Sequence, residues 1–254
     1  MHRRIAIAMV AVGLVAASCG SGDGGSDDSS GGNVTVFAAA SLTAAFTELG
    51  DAFTAANPDV ELTFNFAGSS DLVAQISDGA PVDVFASADL ANMSKLADAG
   101  LAAGEPATFA TNTAEIVVEP GNPLDIAGVA DLADSDLIVV LCAPEVPCGA
   151  YAEQVVANAG TTVTPSSYEE NVKAVVTKVT LGEADAGIVY RTDVIAAGDA
   201  AQGVPIPDDI NVVAEYPIAL VSDAPNAAGA QAFIDFVLGP AGQKILAAYG
   251  FGPA

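Results

Sequence analysis

Histidine is all but missing from this chain: the single copy is His2, at the N-terminus. Its absence from the body removes Ser-His-Asp and Cys-His catalysis, and every zinc site that needs an imidazole. Positive charge is nearly as scarce, with 7 Lys and Arg against 32 Asp and Glu and a formal charge of -25. Without Arg3 and Arg4, which fall in a leader-like segment, the basic side chains are Lys95, Lys173, Lys178, Arg191 and Lys244. A basic groove for nucleic acid is excluded. Any anion that binds here has to be held by local dipoles. The carboxylates show no spacing that singles out a general acid and base, and they read as a solvating, self-repelling surface.

What the chain does have is apolar mass. At 254 residues, 52% hydrophobic and 15% charged, it can bury a large core, and two lobes of ordinary domain size are expected. Residues 1–18 read as a signal peptide: His2-Arg3-Arg4, an apolar run from Ile5 to Ala17, then small residues before Cys19. The run is too short for an ordinary spanning helix. Ala16-Ala17-Ser18-Cys19 has the form of a bacterial lipobox, with Ala16 where a large aliphatic residue is usual, so Cys19 is the expected lipidation site. The Gly, Ser and Asp of residues 19–32 make a flexible linker with a root-mean-square reach of roughly 20 Å.

Beyond residue 33, strand-like and helix-like runs alternate: 34–39 then 42–56, 61–66 then 71–77, 82–87 then 90–99. A second set covers 115–119, 136–142, 151–159, 172–182 and 186–190. Then come a strand over 212–221 containing Tyr216-Pro217, and helices over 227–238 and 241–249 separated by Gly239-Pro240. This rhythm predicts an α/β fold of βαβ units, mainly parallel sheets with helices on both faces. Ligands on such sheets sit where the carboxyl ends of strands enter helices.

Cys142 and Cys148 stand six apart in an exported chain, which favours a disulfide over two independent buried thiols. It would hold the Pro147–Ala150 turn rigid.

Four segments share one design: 34–42 with Ser41, 66–72 with Ser69, 146–151 with Cys148, and 170–175 with Val172. Each hands an extended or turn-like run to a helix, whose start carries unpaired N–H donors and the positive end of the backbone dipole. Several aimed at one cleft make an anion site without Lys or Arg. Singly, these residues have plainer readings. Ser41 and Ser69 also suit helix N-caps, Tyr190 suits a half-buried core aromatic, and Val172 has no side-chain chemistry. Asp71, close to Ser69, either caps its helix or repels an anion.

Taken together, Val-Phe-Ala-Ala-Ala-Ser41-Leu, Phe-Ala-Gly-Ser69-Ser-Asp-Leu with its continuation through Pro-Val-Asp-Val-Phe-Ala-Ser-Ala-Asp89, and Gly187-Ile-Val-Tyr190 resemble the substrate-binding proteins of bacterial molybdate transporters. The likeness runs from about residue 33 to Tyr249-Gly-Phe-Gly252. It implies a two-lobed periplasmic-binding-protein fold of the class II type, with lobe 1 formed by 33–112 plus 218–254 and lobe 2 by 113–217. It also implies the ligand set: hydroxyls from Ser41 and Ser69, backbone amides from Cys148 and Val172, and the Tyr190 phenol. Cys148 departs from the family's usual Ala, which an amide donor tolerates.

The function this implies is a lipid-anchored, extracytoplasmic monomer that captures molybdate, and tungstate by likeness, for the permease of an ABC importer. No bond chemistry, cofactor or further metal is expected. Rival expectations are a sulfate or other tetrahedral-oxyanion binder, a serine hydrolase using Ser41 or Ser69, and an adhesive lipoprotein without a small ligand. An iron binder would need clustered tyrosines or carboxylates, and Tyr151, Tyr168, Tyr190, Tyr216 and Tyr249 are scattered along the sequence.

Overall fold

The computed structural model describes residues 31–254. The leader, the expected lipidation site Cys19 and nearly all of the 19–32 linker lie outside the described residues. No helix among the described residues is long and apolar enough to cross a membrane.

Strand β1 (Gly32–Ala39) is buried on both faces over most of its length, as a central parallel strand has to be. It lies between β2 (Val60–Ala67) and β3 (Val84–Ala86) and runs parallel to both. Helix α1 (Thr43–Ala56) leads from β1 to β2 and buries Phe46, Leu49 and Phe53, spaced as one helical face. Helix α2 (Ser69–Ser77) leads from β2 to β3, and α3 (Leu90–Asp98) follows β3.

The second half repeats the arrangement. Strand β5 (Val139–Cys142) is parallel to β6 (Ser167–Glu169) on one side and to β7 (Ala186–Tyr190) on the other. Helices α4 (Pro147–Asn158), α5 (Val172–Thr180) and α6 (Arg191–Ala197) follow β5, β6 and β7 in turn.

Two long strands join the halves. Strand β4 (Ala102–Val118) pairs with β9 (Val213–Val221) from Ala102 to Thr113, then with β7 from Ala114 onward, while β8 (Gln202–Pro205) adds to its last residues. Strand β9 also flanks β3. The order is therefore β2-β1-β3-β9-β4-β7-β5-β6, with β8 on β4. The result is a mixed sheet: each βαβ part is parallel as expected, and every antiparallel pairing involves β4 or β9, the strands that leave the first half and return to it. Pro217 is tolerated in central β9 because it sits beside an irregularity in the β4 pairing, between Thr108 and Ala110.

Helices α7 (Ala227–Leu238) and α8 (Pro240–Ala248) close the first half, α7 against β1 and β9 and α8 against α1. Its core holds edge-to-face rings, Phe46 and Phe53 against Phe233 at 6.1 and 5.4 Å. Such contacts add to apolar burial worth roughly 1.5–3 kcal/mol per large side chain. Ile116, Leu132, Val155 and Ile188 form a separate core in the second half.

Candidate functional site

Each predicted ligand stands just past, or at, the carboxyl end of a strand. Ser41 lies in the single 3-10 turn Ala40–Leu42 after β1, Ser69 is the first residue of α2 after β2, Cys148 is the second of α4, Val172 opens α5 after β6, and Tyr190 ends β7. The structure brings all five to one cavity between the halves. Its remaining lining is Ala39, Ala40, Ala67, Gly68, Ala88, Val146, Pro147 and Asn171, none of them charged. The space is about 10 Å³, far below the roughly 300–1,000 Å³ of pockets that take drug-sized molecules.

Ser69 is fully buried, and its Oγ accepts the N–H of Ala88 at 3.0 Å. No acceptor for its hydrogen is found among the described residues, so that hydrogen can be given to a guest. Ser41 is 6% exposed and its Oγ lies 3.0 Å from the Tyr216 hydroxyl. Neither serine is an N-cap: α2 is preceded by Gly68 and α1 by Leu42. Neither has a base beside it, because one is bonded to a phenol and the other to a backbone amide. Tyr190 is 3% exposed, and its hydroxyl is buried without any hydrogen-bond partner among the described residues. A buried orphan hydroxyl costs free energy unless something satisfies it. Burial, reinforced by Tyr216, Tyr151, Asp89 and Asp193 nearby, holds this phenol well above its ordinary 10, so it remains an O–H donor.

The helix starts add backbone donors. Pro147 is the first residue of α4 and has no N–H, so the first amide hydrogen of that helix belongs to Cys148. A disulfide joins Cys148 to Cys142 at the end of β5, with Cα atoms 5.7 Å apart. The turn between them is tight: a Cβ on Gly149 would overlap the Ala143 carbonyl oxygen and stand 2.7 Å from that of Cys142. At α5, the N-cap Asn171 accepts the Ala174 N–H at 3.1 Å, and Val172, whose amide has no partner within its own helix, lines the cavity. Asp71 is exposed and does not line the cavity.

Neither Lys173 nor Arg191, the cations beside Val172 and Tyr190, lines the cavity. Lys173, next to Val172, reaches the buried Asp193 at 2.9 Å. Asp193 also accepts the Tyr190 N–H at 3.4 Å. Burial raises the Asp193 carboxyl above its ordinary 3.8 while Lys173 pulls it down. The pair ties the start of α5 to the start of α6, between which Val172 and Tyr190 are placed.

Two further residues escape a reading of the sequence. Tyr216 of β9 and Asn112 of β4 stand behind Ser41, 175 and 104 positions from their partners in the bonds Ser41–Tyr216 and Asn112–Tyr216. The tyrosines are also less scattered than the sequence suggests. Tyr151, Tyr190 and Tyr216 meet in sequence-distant pairs at 6.3 and 5.8 Å between ring centres. Burial raises all three phenols, Tyr151 to about 12, so each keeps its hydrogen at neutral pH.

Residues 34–252 match the model of a family described as bacterial extracellular solute-binding protein. The molybdate-binding protein ModA of Mycobacterium tuberculosis is 44% identical over 248 residues, 96% of this chain and 94% of that protein. Among solved structures, the periplasmic molybdate-binding protein of Azotobacter vinelandii superposes with a TM-score of 0.75 at 22% identity, covering 87% of this chain and 99% of that one. The sulfate-binding protein SubI of M. tuberculosis reaches 0.77 at 20%, covering 87% of each. At those identities the structures speak for the fold alone, a periplasmic-binding-protein fold. Through the family match and the 44% relative, the chain belongs to the bacterial extracellular solute-binding proteins, beside their molybdate-binding members.

Proposed function

We propose that this chain captures molybdate, and tungstate by chemical likeness, outside the cytoplasm and delivers it to the permease of an ABC importer. The observation that carries the reading is the donor set: three buried hydroxyls, one of them without any partner, converge with two helix starts on a small cavity with no charged lining. A dianion that leaves water needs its hydration replaced, and hydrogen bonds to a charged group contribute roughly 1.5–3 kcal/mol each. Ser41, Ser69 and Tyr190 would donate O–H, Cys148 and Val172 would donate N–H, and the helix dipoles add favourable potential. Because the donors are neutral, the ion is held by several moderate bonds and not by a fixed counter-charge, which suits a protein that must release its cargo.

Lobe 1 is read as 33–112 with 218–254 and lobe 2 as 113–217. The change of β4 partner at Thr113 and Ala114 supports this division. The ion contacts both lobes and so stabilises their closed arrangement. Lipid on Cys19 would tether the monomer to the outer face of the membrane through its linker. No bond is made or broken.

Calorimetric titration tests the reading. Molybdate and tungstate should each bind at one site and raise the melting temperature, with sulfate competing more weakly. Sulfate binding more tightly than molybdate would move the assignment to sulfate, and no response to any of the three would remove it.

A further inference from the structure

Asn112 is 4% exposed and lies in β4 opposite Ala214, at the crossing between the halves. Its side-chain orientation is fixed, because Oδ1 accepts the Thr113 N–H at 3.0 Å. The amide nitrogen therefore faces two hydroxyls, donating to Thr192 Oγ1 at 2.8 Å and to Tyr216 Oη at 3.3 Å. Tyr216 is fully buried. Asn112 Nδ2 only donates, so among the described residues the one partner able to accept the buried Tyr216 hydrogen is Ser41 Oγ, 3.0 Å away. Ser41, which lines the cavity, thus accepts from Tyr216 and keeps its own hydrogen to give. The bonds run one way, from the Thr113 amide through Asn112 and Tyr216 to Ser41.

We infer that Asn112 and Tyr216 are positioning residues that set specificity: by fixing Ser41 as a donor, they make the cavity reject oxyanions that carry a proton. This rests on the reading of the cavity as a molybdate site. A guest with its own O–H needs an acceptor, and a Ser41 hydroxyl that gives its hydrogen to the guest and one lone pair to Tyr216 is a poorer acceptor than one free to turn. Ser69 is oriented the same way by the Ala88 N–H. At Ser41, however, side chains impose the direction, so substitution can release it.

The test is Tyr216→Phe, with Asn112→Ala as a second variant should the first fold poorly, each titrated at pH 7 with molybdate and with inorganic phosphate, which carries a proton there. Molybdate affinity should fall about tenfold in either variant. The preference for molybdate over phosphate should shrink by more than that, since a freed Ser41 can turn and accept. The loss should also vanish when Tyr216→Phe is combined with Ser41→Ala, and persist with Ser69→Ala. A preference unchanged from the unaltered chain, or a loss of equal size in both backgrounds, overturns the inference while leaving molybdate binding in place. Failure of the unaltered chain to bind molybdate overturns the functional reading and this inference with it.

Discussion

Replacing Tyr190 by Phe removes one oxygen and should move two observables in opposite directions. In the ligand-free protein the Tyr190 hydroxyl is buried and unpartnered, and an unsatisfied buried polar group costs about 1–3 kcal/mol. Its removal should leave the empty protein as stable as before or up to that much more stable. For a domain of this size, each kcal/mol moves the melting temperature by about 2–4 °C, so the ligand-free midpoint should stay level or rise by several degrees. On the proposed reading the same hydroxyl donates to the bound dianion, a bond worth roughly 1.5–3 kcal/mol. Molybdate affinity should therefore fall about ten- to 150-fold. Thermal melts with and without molybdate, together with calorimetry, read both terms. The upward shift caused by the ion should narrow from both ends. A lower ligand-free midpoint with undiminished affinity would refute the argument, because Tyr190 would then be a core aromatic with a hidden partner.

Other substitutions probe the frame of the site. A Cβ at Gly68 would stand 2.6 Å from the Glu170 carbonyl oxygen across the cavity, and overpacking of that kind costs about 1–3 kcal/mol. Gly68→Ala should weaken molybdate binding and enlarge the radius of gyration of the bound form in solution scattering; no change in either would show that the two segments separate freely. Opening the Cys142–Cys148 ring, whose ends are six residues apart, should cost about 2 kcal/mol in the loop-entropy model. The Cys142→Ser, Cys148→Ser protein should melt lower by about 4–8 °C yet still bind molybdate through the surviving amide, and identical melts would argue against the crosslink. At Glu169, burial raises the carboxyl, but hydrogen bonds from Lys178 and Ser167 bring it below its ordinary 4.5. Its contribution to stability is therefore complete above that value and lost as pH falls through the lowered one. Glu169→Gln should flatten the acid limb of the stability curve there, and an unchanged limb would show the ion pair to be idle.

The strand and helix alternation is legible because each βαβ unit carries its own signals. Helix α7 is recognised over its full span, since Asn226 caps it and Gly239-Pro240 ends it. Strand β4 is legible only from residue 115, whereas it starts at Ala102; the exposed Ala103-Gly104-Glu105 stretch and the following Pro106 hide its first half, which becomes a strand only by pairing with β9. The short edge strands β6 and β8 and the helix α6 leave no periodic mark of their own. Among site residues, those at helix starts can be found because local chain geometry puts them there. Tyr216 and Asn112 cannot, because their role exists only once strands more than a hundred positions apart lie side by side.

The crosslink beside Cys148 also carries a compartment into the binding site. Bonds of this kind form in oxidising surroundings and are kept reduced in the cytosol. In the cytosol the β5–α4 turn is therefore unclasped. Under the proposed function, the Cys148 amide would be held less firmly there, and the grip on the oxyanion would become complete only where the bond can form.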